Sequence, residues 1–147
     1  MAVVRRAEVR WDGDLASGRG VVHARSSEAF TELPVSWASR TESPDGKTSP
    51  EELVAAAHAS CFAMALSAGL VRAGTPGQKL EVSAAVTFDR GEQGWRVVSS
   101  ALEVKGWVRG LDAAGFQKAA EAAKGGCPIS QALEGNVALS VKATLAQ

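Results

Sequence analysis

The stretch Ser49-Pro50-Glu51-Glu52-Leu53-Val54-Ala55-Ala56-Ala57-His58-Ala59-Ser60-Cys61-Phe62-Ala63-Met64-Ala65-Leu66-Ser67-Ala68 organises this chain. Ser49 before Pro50 and two glutamates reads as a helix start. The serine can cap, proline at the first helical position sacrifices no hydrogen bond, and the acids meet the positive end of the dipole. Beyond Glu52 the run is alanine-rich and almost uncharged. A helix that is apolar nearly all round is buried on most sides or lies against a partner chain. Cys61, one of two cysteines, sits in its middle. A lone buried cysteine serves either as an inert small hydrophobe or as a reactive thiol, and the helix by itself leaves both open.

Upstream, residues 3–11 put Ala7, Val9 and Trp11 on one face with Glu8 and Arg10 between them, a half-buried strand. Residues 21–25 and 33–37 are further strand candidates, and Pro34 marks the last as an edge. Turns at Asp12-Gly13-Asp14 and Ser17-Gly18-Arg19-Gly20 make the first part, about residues 1–38, a three-stranded antiparallel meander. A polar loop from Ser39 to Thr48, containing Arg40, leads into the helix. That helix runs to about Arg72, and Gly74-Thr75-Pro76-Gly77 ends it.

Downstream, Leu80, Val82, Ala84, Val86 and Phe88 alternate with mostly polar residues, and the chain turns between Gly91 and Gly94. Trp95 and Val97 then lie on odd positions, but Leu102, Val104 and Val108 on even ones. Side chains alternate strictly along a regular strand, so the change of phase predicts a bulge near Ser99 or Ser100. Asp112 caps a helix stopped by Gly125-Gly126, Cys127-Pro128 opens a short helix through Leu133, and Val137 to Leu145 forms a last strand. The order βββ-α-ββ-αα-β indicates an α+β fold with mainly antiparallel sheet. The 147 residues fit a single domain, 1–147, with a central helix at about 50–72 and a C-terminal ββααβ part at about 79–147.

Sixteen basic residues balance sixteen acidic ones, without a basic stripe, so nucleic acid is not an expected partner. Charged residues follow Met1 too soon for a signal peptide, and the glutamates, His58 and many alanines of the central helix argue against a membrane span. The chain therefore reads as cytoplasmic, where two cysteines are more often catalytic, redox-sensing or inert than a permanent bridge.

Cys127 draws attention through its neighbours. Pro128 makes it the N-cap of a helix, where unsatisfied amides and the dipole favour a thiolate, and Gly125-Gly126 would let the backbone turn and keep the sulfur accessible. The plain alternative is a small residue filling a tight turn. The two cysteines are 66 positions apart, so no local geometry joins them. Zinc is a competing use, with His58 and Cys61 at i, i+3 on one helix face and Cys127 as a third ligand. A closed structural site needs four ligands at recognisable spacings, which this chain lacks, and no metal is expected. His58, one turn before Cys61, is a candidate for tuning that thiol, or simply a histidine satisfied within a helix contact.

The run Thr48 to Leu66 resembles the signature helix of the OsmC family (osmotically inducible protein C), which is related to the organic hydroperoxide resistance proteins, Ohr. Gly126-Cys127-Pro128-Ile129-Ser130-Gln131-Ala132-Leu133 resembles the family's second cysteine motif, and Ser39-Arg40-Thr41 the arginine segment of the OsmC branch. The resemblance implies two antiparallel sheets around long central helices in an intertwined homodimer. It implies a thiol-dependent peroxidase that reduces organic hydroperoxides, and hydrogen peroxide less well, without a bound cofactor. Cys61 then matches the peroxidatic cysteine and Cys127 the resolving one. Glu51 matches the acid of the motif, and Arg40 the arginine beside the reactive sulfur. Arg19 is a second candidate for that arginine, because the Ohr branch takes its own from the first hairpin region. The implied cycle runs from a sulfenic acid at Cys61 to a Cys61–Cys127 disulfide, reopened by an external dithiol of lipoyl or thioredoxin type. A redox-sensing or ligand-binding dimer without efficient turnover is the alternative on the same scaffold. Ten residues of helix separate Glu51 from Cys61, about 15 Å along the axis, so the resemblance is reconciled with helix geometry if each site is shared between two chains.

Overall fold

The computed structural model describes residues 1–146 and contains six strands and four helices. Its contacts fall into two compact units that divide between Leu53 and Val54. The first turn of the central helix therefore groups with the N-terminal residues.

In the first unit, β1 (Ala7–Asp12), β2 (Arg19–Ala24) and β3 (Leu33–Val35) form an antiparallel meander in the order β1-β2-β3, as the turns predict. But β1 is not the half-buried strand its alternation suggested: all six of its residues, Val9 and Trp11 included, are exposed, with no layer packed over them. Pro34 lies on an edge strand, where its missing N–H deprives no neighbour. The polar segment after β3 is not all loop. Trp37–Thr41 forms a short helix, α1, held by a capping box in which Ser36 and Ser39 satisfy each other's backbone N–H at 3.0 Å. Ser39 also donates to the Thr48 carbonyl at 3.0 Å, and Val35 bridges to Thr48, which fixes α1 against the residues that open the next helix.

Helix α2 spans Pro50–Arg72, with the Glu52 N–H donating to the Ser49 hydroxyl at 3.1 Å. Gly74, at φ 76°, takes the left-handed conformation that ends it. Within the second unit, His58, Phe62, Leu66 and Leu70 recur every fourth residue and are fully or almost fully buried. The opposite face, with Met64 and Val71, is bare in a single chain. By length and hydropathy alone α2 could cross a membrane, but its buried stripe belongs to a protein core.

Strands β4 (Gly77–Gly91) and β5 (Gly94–Val108) form a long antiparallel hairpin. Thr87 pairs with Ser99 but Phe88 with Val97, so Val98 is the extra residue of a bulge, one position before the expected place. Beyond it the even positions Ser100, Leu102, Val104 and Val108 face the core. The last strand, β6 (Ala138–Leu145), joins β5 in parallel, which makes the second sheet mixed rather than antiparallel. The cause is the crossover: α3 (Ala113–Gly126) and α4 (Pro128–Leu133) carry the chain back before β6 begins. Asp112 caps α3 through the Gly115 N–H at 2.7 Å. Phe116 of α3 is fully buried against the bare backbone of Gly106, where a Cβ would collide with its ring. The α+β class and the two-sheet plan are those expected from the sequence.

Candidate functional site

Each unit holds one cluster of the residues singled out by sequence. In the first, the capped helix α1 presents Arg40 to Glu51 in the opening turn of α2. Arg40 Nε donates to both carboxylate oxygens at 3.0 and 3.2 Å, and Nη2 to Oε1 at 2.8 Å. Such a fork fixes the guanidinium in direction as well as position. The Glu51 side chain is 9% exposed and that of Arg40 30%, so the ion pair is more than a surface contact. Arg40 also lies over the Trp37 ring, 5.8 Å from its centroid. A hollow of about 330 Å³ opens beside them, walled by Trp11, Leu15, Val35, Trp37 and Leu53 among others. It is an apolar recess with one oriented cation. Arg19, the other arginine candidate, stands exposed at the start of β2 across from Asp12, while the Glu51 carboxylate is taken up by Arg40.

In the second unit the two cysteines meet. Cys61 comes from the middle of α2 and Cys127 from the joint between α3 and α4, and the two free thiols lie close enough to act on each other's ionisation. Cys61 is partly exposed and opens on a half-open groove of about 830 Å³ lined by Met64, Ala65, Ala68, Ala119 and Ala122 among others. Cys127 is fully buried, contrary to the expectation that its two glycines would keep it accessible.

The electrostatics of the pair follow from these surroundings. Burial pushes the Cys61 thiol up. The Ile129 N–H works the other way, and Cys127, as hydrogen-bond partner and as neighbouring charge, adds to the rise. Burial also opposes ionisation of Cys127, but the nearby Ser130 backbone, Cys61 thiol, Ser130 hydroxyl and Ile129 backbone outweigh it, although no amide makes a capping hydrogen bond to the sulfur. The Cys127 thiol is therefore held below its ordinary value. Within one chain, Cys127 is the thiol that ionises first.

His58 lies in the same cluster but not where the i, i+3 spacing suggested. Its ring is fully buried, with Nδ1 2.7 Å from the Ser100 hydroxyl and Nε2 2.7 Å from that of Ser130. The polar chain thus leads through Ser130 to Cys127 rather than to Cys61. Sequence reasoning missed Ser100 and Ser130. The available signal was phase: past the bulge, Ser100 stands on the inward face in line with Leu102 and Val104, where a serine needs a buried partner. No group of three or more His, Cys, Asp or Glu able to hold a metal ion occurs among the described residues.

Fold and site together define a dithiol protein: two neighbouring cysteines on an α+β scaffold, one open to an apolar groove and the other buried. The chain belongs to the OsmC family, matching the OsmC-like protein description over residues 43–142. It is 36% identical over 139 residues to the protein named peroxiredoxin OsmC of Escherichia coli K12, covering 95% of this chain and 96% of that one. It is 32% identical over 121 residues to the organic hydroperoxide resistance protein OhrA of Bacillus subtilis, covering 80% and 83%. The same fold is seen in the crystal structure of OhrB of Bacillus subtilis, with a TM-score of 0.73 and 24% identity over 95% of this chain and 98% of that one. It recurs in an OsmC protein from Legionella pneumophila, with a TM-score of 0.71 and 19% identity over 97% and 99%.

Proposed function

We propose that this chain is a thiol-dependent peroxidase that reduces organic hydroperoxides to alcohols. The observation that carries this reading is the proximity of two free thiols, of which Cys61 opens on an apolar groove and Cys127 does not. The Cys61 thiolate attacks the peroxide's terminal oxygen. The O–O bond breaks, and the alkoxide takes a proton and leaves as the alcohol. Cys127 then attacks the sulfenic sulfur, hydroxide departs as water with the thiol's proton, and a Cys61–Cys127 disulfide remains. An external dithiol returns both sulfurs to thiols.

A thiol pushed up by burial is a poor nucleophile at neutral pH, so Cys61 needs a cation that its own surroundings do not supply. The oriented Arg40 of a second chain fills this role. Two α2 helices packed antiparallel across a two-fold axis would cover the bare Met64 and Val71 face and bring each N-terminal turn to the middle of its partner. The active unit is then a homodimer. Cys61 and Cys127 come from one chain, Arg40 and Glu51 from the other, and the apolar recess beside Arg40 holds the peroxide's organic tail. Cumene hydroperoxide should therefore be turned over faster than hydrogen peroxide in stopped-flow assays with a dithiol reductant, and equal second-order rates would overturn the apolar recess. Mixing a Cys61→Ser chain with a Glu51→Ala chain tests the assembly. Each heterodimer regains one intact site, whereas mixed dimers as inactive as their parents would place the site within one chain.

A further inference from the structure

The buried hydrogen-bonded chain Ser100–His58–Ser130 has no part in the proposed peroxidase cycle, yet its last hydroxyl lies beside Cys127, three residues earlier in the chain, and acts on that thiol's ionisation. His58 sits in an apolar stripe with Phe62, Leu66 and Leu70 and meets two hydroxyls at 2.7 Å, one on each ring nitrogen. Burial holds the ring below its ordinary value. It is therefore neutral at pH 7, with one N–H and one lone pair. That leaves two polarities. In one, the Ser100 hydroxyl donates to Nδ1, Nε2–H donates to the Ser130 oxygen, and the Ser130 hydroxyl is released to donate to the Cys127 sulfur. In the other every donation is reversed, and Ser130 gives its proton to the imidazole and none to the sulfur.

We propose that His58 is a positioning residue that, through Ser130, sets a hydrogen-bond donor on Cys127 whenever that sulfur carries negative charge, and so makes Cys127 the leaving group when the disulfide is reduced. The inference rests on the peroxidase reading for its place in the cycle, but the ionisation of Cys127 on which it turns does not. Geometry supplies the direction of exchange. Cys127 is fully buried and Cys61 borders the groove, so an external dithiol reaches only the Cys61 sulfur. Its thiolate forms a new S–S bond to Cys61, the Cys61–Cys127 bond breaks, and the electron pair departs on Cys127. There the nearby Ser130 and Ile129 backbone and the Ser130 hydroxyl, which favour its charged form, are within reach to stabilise it. The second thiol of the reductant, as thiolate, then displaces Cys61. A leaving thiol departs faster when its anion is better stabilised, so the relay acts on the reductive step more than on the attack on peroxide.

The chain contains no tyrosine, so thiolate absorbance at 240 nm titrates without phenolate interference. In a Cys61→Ser background Cys127 is the only thiol. There Ser130→Ala should lower the thiolate fraction at a given pH roughly tenfold, the worth of one hydrogen bond to a charged group. Ser100→Ala touches no sulfur on this relay, yet it should move the titration the same way by a smaller factor, because it acts through His58. In the two-cysteine protein both substitutions should slow disulfide reduction by dithiothreitol more than they slow peroxide attack. A Ser100→Ala titration that overlays its parent would overturn the role of His58, and an unmoved Ser130→Ala titration would overturn the relay as a whole. A protein that consumes no peroxide but shows both shifts would refute the peroxidase reading and leave the relay standing. Both serine variants remove a single oxygen and are the primary test, so a His58 variant that fails to fold would not decide the matter.

Discussion

Removing the Glu51 carboxylate should cost this protein both stability and its oriented arginine. Glu51→Ala deletes three donor–acceptor contacts of 2.8–3.2 Å and takes the Glu51 carboxylate away from the Arg40 guanidinium. Breaking a buried ion pair by removing one partner costs about 3–5 kcal/mol. The Arg40 side chain is 30% exposed and can rehydrate, which lowers the expected loss to about 2 kcal/mol. For a chain of this length that is a fall of roughly 4–8 °C in Tm. Arg40→Ala should cost at least as much, because it strands a carboxylate that is only 9% exposed. The double variant should be more stable than the sum of the two losses by ~1–2 kcal/mol. Thermal and urea unfolding followed by circular dichroism, across all four corners of the cycle, reads the coupling. Arg19→Ala serves as the control and should change stability little. A coupling energy near zero would mean the pair is not formed in solution, and the orienting role given to Glu51 would fall with it.

Further outcomes attach to single sites. Cys127→Ser should still be oxidised once by peroxide but should not cycle, and mass spectrometry should find Cys61 driven on to sulfinic acid instead of a disulfide. Gly106→Ala sets a methyl against the Phe116 ring and should cost about 1–3 kcal/mol by denaturant unfolding, with the cysteine chemistry retained in the folded fraction. Burial holds His58 below its ordinary value of 6.5, so the unfolded chain binds a proton that the folded chain refuses. That contribution to stability is complete above 6.5 and declines as pH falls through the window below it. Tm measured from pH 7 to 5 should drop in the parent, and the drop should be shallower in a His58→Asn variant.

The bounds of α2 were legible because both ends carry chemical stops, a Ser-Pro-Glu-Glu start and a glycine at φ 76°. The bulge was legible because period-2 phase cannot slip without an extra residue. Helix α1 was not, since a capping box closed by two serines over five residues leaves no apolar period to read. The direction of β6 was equally hidden: alternation shows which face of a strand is inward but not which way it runs. For the site, a helical wheel relates His58 only to its own helix, so the spacing pointed to Cys61. The partners that decide its role, Ser100 and Ser130, lie 42 and 72 positions away. The meeting of Arg40 with Glu51 depends on the fold of α1, and before the structure only the family resemblance suggested it.

The two thiols pose a problem of order that the proposed dimer resolves. Thiols this close cannot both carry charge at low cost, so the pair holds one negative charge at a time, and within one chain that charge belongs on Cys127. Peroxide attack requires it on Cys61. In the proposed dimer, a guanidinium brought to Cys61 by the partner would reverse the order without touching the surroundings of Cys127. In the proposed cycle, once Cys61 has become a neutral sulfenic acid, the charge that opposed ionisation of Cys127 is gone, and the surroundings that lower its thiol favour the resolving step. Had both forms of stabilisation converged on one sulfur, the other could not have ionised in its turn. Placing the cation on one sulfur and the hydroxyl relay on the other lets a single unit of charge pass from Cys61 to Cys127 as the chemistry proceeds.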